Sequence, residues 1–157
     1  PVLAEAFAAF PAMRWIVEIK PDTEEAARVM CETIREAGME TRVLVGSFHD
    51  SAMRHFREAC PEIATGMARN EAFSFYVMAR LGLAKFHPTP AQAMQLPPRA
   101  SGLDALHPRL IEAARARGIA VQVWTINDPA KMETFIARGV DGIITDRVDV
   151  MRNVQGE

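Results

Sequence analysis

The chain has 157 residues, of which 49% are hydrophobic and 24% are charged, and its formal net charge is −2. This composition is typical of one globular domain, and 18 Lys and Arg against 20 acidic residues argue against a nucleic-acid-binding face. No apolar run approaches the roughly 20 residues that a membrane-spanning helix requires. We therefore expect a globular protein with no nucleic-acid partner and no membrane span.

Strand-like and helix-like segments alternate along the chain. WIVEIK, Trp15–Lys20, is apolar and β-branched and predicts a buried strand. The segment after it has a capping box of Asp22 and Glu25, an apolar face and a terminal Gly38, and these features predict an amphipathic helix. Five similar units follow, including one with a short strand at AMQL inside a proline-rich stretch. The predicted strands start near residues 15, 42, 62, 93, 119 and 140.

Six strand-helix units in series predict parallel strands that are joined by crossover helices. A dinucleotide-binding sheet should carry a G-x-G-x-x-G loop after an early strand, and no predicted strand end has that spacing. The other architecture is a (β/α)₈ TIM barrel, which needs about 250 residues. We therefore expect an α/β fold in which residues 1–157 form one partial barrel domain, with the first two strands missing.

Polar and aromatic residues follow four of the predicted strands at their carboxyl ends, where barrel active sites are built. They are Glu18 and Lys20 at the first strand, Ser47 and His49 at the second, Trp124, Thr125 and Asn127 at the fifth, and Thr145 and Asp146 at the sixth. Glu18 and Lys20 are two residues apart on a strand, so their side chains point to the same side. The sequence therefore predicts a site on the carboxyl rim of the barrel.

Four segments, PVLAEAF…WIVEIK, VLVGSFHD, VQVWTINDPAKM and GVDGIITDRVDVM, together resemble the glycerophosphodiester phosphodiesterase family. The resemblance covers the C-terminal two-thirds of that family's domain. It implies a phosphoric diester hydrolase on a TIM barrel. It also implies a small-molecule glycerophosphodiester substrate, which the intact protein splits into glycerol 3-phosphate and an alcohol, and a divalent metal, Mg²⁺ or Ca²⁺.

The resemblance also implies roles for individual residues. Glu18 corresponds to a metal-ligand glutamate, and Lys20 is then placed to stabilise the phosphoryl oxygens in the transition state. Trp124 corresponds to an aromatic wall for the glycerol or alcohol side of the substrate. The remaining substrate-binding candidates are Ser47, Phe48 and Asn127.

Each of these residues has a plainer alternative. Glu18 and Lys20 form a rim ion pair, Trp124 fills the top layer of the barrel, Ser47 is a turn residue and Asn127 starts a helix. Asp146 is expected to cap the last helix rather than to bind metal. The four histidines, which lack metal-ligand spacing, are expected at the surface or in loops; they are His49, His55, His87 and His107.

Three motifs of the family are not present in this sequence: a His-Arg-Gly motif, a Glu-x-Asp pair and a histidine soon after it. Phosphodiester hydrolysis needs an acid and a base near the phosphorus. Two hypotheses therefore stay open. The chain is part of an active phosphodiesterase and is inactive alone, or it is a truncated, non-catalytic binding or scaffold module. Because the WIVEIK edge is long and apolar, we expect the isolated chain to form homo-oligomers or to aggregate.

The two cysteines, Cys31 and Cys60, fall in segments that predict helices. We expect them to be small buried hydrophobic residues rather than a disulfide or metal ligands. Unpaired cysteines are typical of a reducing compartment, and no signal peptide is visible in the sequence. Together these features favour a cytoplasmic location.

Overall fold

A computed structural model of the protein describes residues 2–100 and 102–156. The described elements are α1 (Leu3–Ala9), β1 (Trp15–Glu18), α2 (Glu24–Glu36), β2 (Val43–Gly46), α3 (Asp50–Ala59), β3 (Ala64–Thr65), α4 (Arg69–Arg80), a 3₁₀ helix (Ala84–Phe86), β4 (Ala93–Leu96), β5 (Arg99–Ala100), β6 (Leu103–Asp104), α5 (Pro108–Arg115), β7 (Ala120–Val123), α6 (Pro129–Ala137), β8 (Gly142–Ile143) and α7 (Val148–Gln155). All six predicted strand-helix units are present. The sequence did not predict α1 or the short antiparallel pair β5–β6.

The chain forms two compact units. The first contains the described residues up to Ala72 together with Thr89–Ala91, and the second contains Phe73–Pro88 and the described residues from Gln92 onward. The first unit has a parallel sheet in the order β1-β2-β3, and the second a parallel sheet in the order β4-β7-β8. Parallel pairing confirms the crossover connections that the alternating pattern predicts.

Two helix faces build the core of the first unit. In α2, Ala27, Cys31 and Ile34 are buried, and their spacing of four and three residues places them on one face. In α3, Met53 and Phe56 are buried, and both residues are almost fully inaccessible to solvent. α2 packs against α3, and Ala27, Ile34 and Phe56 belong to one core cluster with two residues of β2, Val43 and Val45.

A disulfide bond joins the two helices of this core. Cys31 in α2 and Cys60, directly after α3, are bonded with their Cα atoms 5.9 Å apart, and both are buried. The expectation of two unpaired cysteines is therefore wrong. Both residues were correctly expected to be buried, but only Cys31 lies on a helix face, since α3 ends at Ala59. Packing of α2 against α3 brings the two Cα atoms within the range that a disulfide needs.

β1 is covered on one face only, although its composition predicts a fully buried strand. Trp15 and Val17 pack against the core, and the ring of Phe7 in α1 contacts Trp15 edge-on, with 5.4 Å between centroids. Ile16 on the other face is 47% exposed, and Glu18 shares that face. Partly buried and exposed side chains therefore alternate along β1, but the sequence does not show this because apolar residues stand on both faces.

Local capping explains where several helices begin. α2 begins after Thr23, whose hydroxyl accepts a hydrogen bond from the Ala26 amide at 3.2 Å, so Thr23 and not Asp22 is the N-cap. In the second unit, α5 begins with Pro108 after His107, whose Nδ1 accepts from the Arg109 amide. These helices therefore begin within two residues of their predicted starts.

Candidate active site

The carboxyl end of β1 brings Glu18 and Lys20 together. The Lys20 ammonium lies 2.6 Å from the Glu18 carboxylate, and the two side chains are 76% and 35% exposed, respectively. The two residues point to the same side, as their spacing predicts, and the rim ion pair is the arrangement observed. Exposed ion pairs contribute at most about 1 kcal/mol, so an anionic ligand can draw Lys20 away at low cost.

Ser47 fixes the position of this strand end. Its buried hydroxyl donates a hydrogen bond to the Ile19 carbonyl at 2.7 Å and accepts one from the His49 amide at 3.1 Å. The hydroxyl therefore joins the loop after β2 to the residue between Glu18 and Lys20. The first bond fixes the end of β1 and the second lies within the turn after β2, while the substrate-binding role of Ser47 stays a prediction.

Further polar contacts connect the loops of the first unit. Asp22 after β1 accepts a hydrogen bond from the Ser51 hydroxyl, and its carboxylate lies 3.7 Å from His49 Nδ1. Asp50 at the start of α3 accepts from the Asn70 amide group at 2.8 Å. These contacts hold the loops after β1, β2 and β3 in fixed relative positions.

Phe48 stands next to a cation that the sequence reading missed. The Phe48 side chain is 45% exposed, and the guanidinium carbon of Arg69 lies 5.8 Å from its ring centroid. Arg69 is the first residue of α4 and follows β3. The signal in the sequence was a basic residue shortly after a predicted strand, which alone is too common to indicate a site.

In the second unit, Trp124 directly follows β7. Its side chain is half-buried, its backbone amide donates to the Leu96 carbonyl at 3.1 Å, and the peptide bond between Trp124 and Thr125 is cis. Trp124 therefore stands at the carboxyl end of the strand, as the sequence predicts.

Asn127 is the centre of a hydrogen-bonded cluster in this unit. Its amide group donates to the Asp146 carboxylate at 3.0 Å, and its carbonyl oxygen accepts from the Thr145 hydroxyl and the Asp146 amide, both at 2.9 Å. The side chain of Asn127 thus ties the loop after β7 to the loop after β8.

Two capping predictions in this region are wrong. Asp128, not Asn127, caps α6 by accepting from the Lys131 amide at 3.0 Å. α7 has Arg147 at its N-cap with no side-chain cap bond, so Asp146 does not cap it. Asn127 can donate and accept at the same time, and this allows it to pair with Asp146 across the two loops.

The histidines do not form a metal site. His87 is buried in the loop after the 3₁₀ helix, with Nε2 2.8 Å from the Ser74 hydroxyl, and its loop position is one of the two that were expected. His107 caps α5. Within residues 2–100 and 102–156, no group of three or more His, Cys, Asp or Glu side chains is arranged to hold a metal ion. A hard divalent cation takes about six to eight oxygen ligands, and Glu18 offers one carboxylate. The described residues alone therefore do not fit a metal centre.

Solved structures with the same fold are phosphodiesterases. The chain is similar to a glycerophosphodiester phosphodiesterase from Agrobacterium tumefaciens, with a TM-score of 0.76 and 21% identity over 100% of this chain and 62% of that one. It is also similar to an Oleispira antarctica phosphodiesterase solved with the product sn-glycerol-3-phosphate, with a TM-score of 0.67 and 20% identity over 100% and 62% of the two chains. These similarities confirm the predicted fold class, an incomplete (β/α)₈ barrel.

Sequence comparison identifies the family. Residues 6–150 match the model of the glycerophosphoryl diester phosphodiesterase family, and the chain belongs to this family. It is 30% identical to the probable glycerophosphodiester phosphodiesterase 2 of Mycobacterium tuberculosis over 98% of this chain and 59% of that protein. The chain thus spans about one half to three-fifths of the length of the curated relatives it matches.

Proposed function

We propose that this protein takes part in the hydrolysis of glycerophosphodiesters to glycerol 3-phosphate and an alcohol. The observation that supports the proposal most is the family match over residues 6–150, with Glu18 and Lys20 together at the carboxyl end of β1. The acid and the base of the reaction are not among the motifs of this chain. We propose that they lie in the part of the relatives' length that this chain does not cover.

Lys20 is the proposed catalytic residue. Negative charge develops on the phosphoryl oxygens in the transition state, and an ammonium next to them stabilises that state more than the substrate. The ion pair with Glu18 keeps the ammonium at the strand end before substrate binds. Ser47 and Asn127 are proposed to position the loops around the substrate, and Phe48 and Trp124 are proposed as apolar contacts to it.

Metal dependence is a separate proposal. Glu18 is proposed to supply one oxygen ligand to Mg²⁺ or Ca²⁺, with the other ligands coming from outside the described residues. Such a cation, when bound, neutralises phosphate charge. The contribution of this chain is limited to the carboxylate and to the ion pair that holds it in place.

The test compares two substitutions in the full-length protein with glycerophosphocholine as the probe. Lys20→Ala is expected to lower kcat by about 100-fold, because removing one donor of this kind costs 10² to 10³ in rate. Glu18→Gln is expected to raise the concentration of Mg²⁺ or Ca²⁺ that is needed for half-maximal activity. Lys131→Ala and Glu133→Gln, both at exposed positions in α6, are the matched controls. Unchanged metal dependence in Glu18→Gln would refute the ligand assignment.

A second candidate function is binding without hydrolysis. It is supported by the lack of a three-ligand acidic or histidine cluster among the described residues. Calorimetric titration of the protein with glycerol 3-phosphate distinguishes the two. Binding that Lys20→Ala weakens, in a protein without turnover at any divalent metal concentration, would favour the binding module.

The cellular compartment of the protein is a further proposal. No helix in the described part of the chain is long and apolar enough to cross a membrane. The expectation of a cytoplasmic location rested on unpaired cysteines, and the Cys31–Cys60 disulfide removes that support. Because disulfides persist in oxidising environments, we propose such a compartment. Maleimide trapping of the thiols in intact cells tests this, since a doubly labelled protein would restore the cytoplasmic expectation.

A further inference from the structure

One long stretch of the chain has no acidic residue. Residues 72–103 contain Arg80, Lys85 and Arg99 and neither Asp nor Glu, while the rest of the chain has 15 Lys and Arg against 20 acidic residues. Because it lacks acidic residues, this stretch has a formal net charge of +3 in a chain whose net charge is −2. Both α4 from Ala72 onward and the 3₁₀ helix lie in this stretch.

α4 has a second apolar face that is exposed. Phe75 and Ala79 are buried, whereas Phe73 and Val77, on the opposite face, are 66% and 39% exposed. Leu81 continues the exposed row one turn further on and is 67% exposed. A row of large exposed apolar side chains is uncommon on the surface of a monomer and is typical of a binding surface.

The end of α4 adds two more exposed apolar residues. Gly82 has a φ of +74°, and the Leu83 amide donates to the Met78 carbonyl at 2.7 Å, which ends the helix. The 3₁₀ helix that follows carries Phe86, which is 66% exposed, and the Lys85 ammonium lies 4.8 Å from its ring centroid. Leu83 is exposed as well. We call Phe73, Val77, Leu81, Leu83 and Phe86, with Arg80 and Lys85, the α4 patch.

Cations border this apolar surface. Arg80 and Lys85 are exposed, and neither is in an ion pair within the described residues. Arg80, Val77 and Leu81 also line one surface pocket together with Asp104, whose carboxylate accepts from the Arg138 guanidinium at 3.1 Å. The carboxylate of Asp104 is thus already paired with another cation.

We propose that the α4 patch binds an anionic lipid surface, with α4 lying in the plane of the interface. Phe and Leu side chains enter the boundary between headgroups and acyl chains, and Lys and Arg contact anionic headgroups, as in interfacial amphipathic helices. A second copy of the chain is a less favourable partner for the α4 patch. A two-fold symmetric contact would place Arg80 and Lys85 of one copy near the same cations of the other. This role is independent of the hydrolysis proposed above.

The test uses a fluorescent label on the full-length protein. The structure pairs Cys31 with Cys60, so Leu81→Cys adds one reactive thiol for an environment-sensitive probe, in a background where any cysteine outside residues 1–157 is replaced by Ser. The control is Val148→Cys, at a position 63% exposed on α7. We expect the emission of the Leu81 label to shift to the blue with vesicles of phosphatidylglycerol and phosphatidylcholine. No shift is expected with phosphatidylcholine alone or for the Val148 label.

Substitutions then separate the apolar and the charged contributions. Phe73→Ser with Phe86→Ser is expected to lower the vesicle partition coefficient by about tenfold or more, because two aromatic side chains leave the interface. Arg80→Glu and Lys85→Glu should each lower it by at least about fivefold, since one cation near an anionic surface contributes about that factor. Lys131→Glu, outside the patch, should lower it less than either.

Three results would overturn the proposal. The first is equal binding to anionic and neutral vesicles. The second is a Leu81 label that already emits in the blue without vesicles, which would show that another part of the protein covers the patch. The third is a dimer that Phe73→Ser converts to a monomer, which would identify a second copy as the occupant. Thermal melts of each variant establish that the loss of binding is not loss of folding.

Discussion

Removal of the Cys31–Cys60 disulfide should destabilise the protein by a calculable amount. Cys60 is 29 positions after Cys31 in the chain, and the chain-entropy relation for a loop of that size gives about 3.6 kcal/mol at 25 °C. This loss arises in the unfolded state, which becomes more expanded without the cross-link. It is a large part of the roughly 5 to 15 kcal/mol by which a domain is stable.

Urea unfolding of Cys31→Ala, Cys60→Ala and the double variant provides the measurement. Each single variant already breaks the bond, so we expect all three free energies of unfolding to fall by similar amounts. The m-value should rise in all three, because more surface is exposed in an unlinked unfolded chain. Additive losses in the double variant, or a loss below about 1 kcal/mol, would refute the reasoning. Two titratable thiols in the denatured, unreduced wild type would refute the bond itself.

Three further predictions concern single side chains, and a fourth concerns β1. Ser47→Ala should lower the free energy of unfolding by about 1 to 3 kcal/mol, since the Ile19 carbonyl loses a buried donor. Urea denaturation measures this loss. Asp128→Ala should cost about 1 kcal/mol in the same assay through the lost cap of α6, and a neutral result would contradict the capping assignment.

Hydrogen bonds from the Arg147 guanidinium lower the pKa of Asp149 to about 2, and an NMR titration of the Asp149 carboxylate should give this midpoint. The stabilisation that the pair contributes should be lost as the pH falls from about 4 to 2. Arg147→Gln should return the midpoint toward the ordinary value. The isolated chain should sediment as oligomers, because β1 exposes Ile16 at a sheet edge, and one monomeric boundary at all concentrations would contradict this.

Strand direction was the most predictable feature of the fold. Strand-like runs separated by amphipathic segments predict parallel pairing, and the strands near residues 15, 42, 93 and 120 pair in this way. The hairpin β5–β6 was not predictable, because Pro97 and Pro98 just before it suggested an irregular loop. The disulfide was not predictable either. Helix periodicity places each cysteine on a buried face but does not say which two faces pack together.

The site was predictable in its positions and less so in its contacts. Spacing along β1 placed Glu18 and Lys20 side by side, and strand ends placed Ser47 and Trp124 correctly. The hydrogen bonds of Ser47 and Asn127 depend on loops that come together only in the folded chain. Asn127 was expected to start α6 because it stands next to Asp128 and Pro129 in the chain. In the structure Asp128 caps this helix, and Asn127 bonds to Asp146, which is distant in the sequence.

In each of the two units, one polar side chain forms hydrogen bonds between two loops that follow strands. Ser47 joins the loops after β1 and β2, and Asn127 joins the loops after β7 and β8, each through hydrogen bonds that cross from one loop to the next. Loops have high conformational entropy, so such bonds reduce the cost of ordering them around a ligand. It follows that Ser47 and Asn127 variants should lose stability and turnover together. Lys20 is exposed and makes no such contact, so its removal should change turnover while leaving the melting temperature close to that of the wild type.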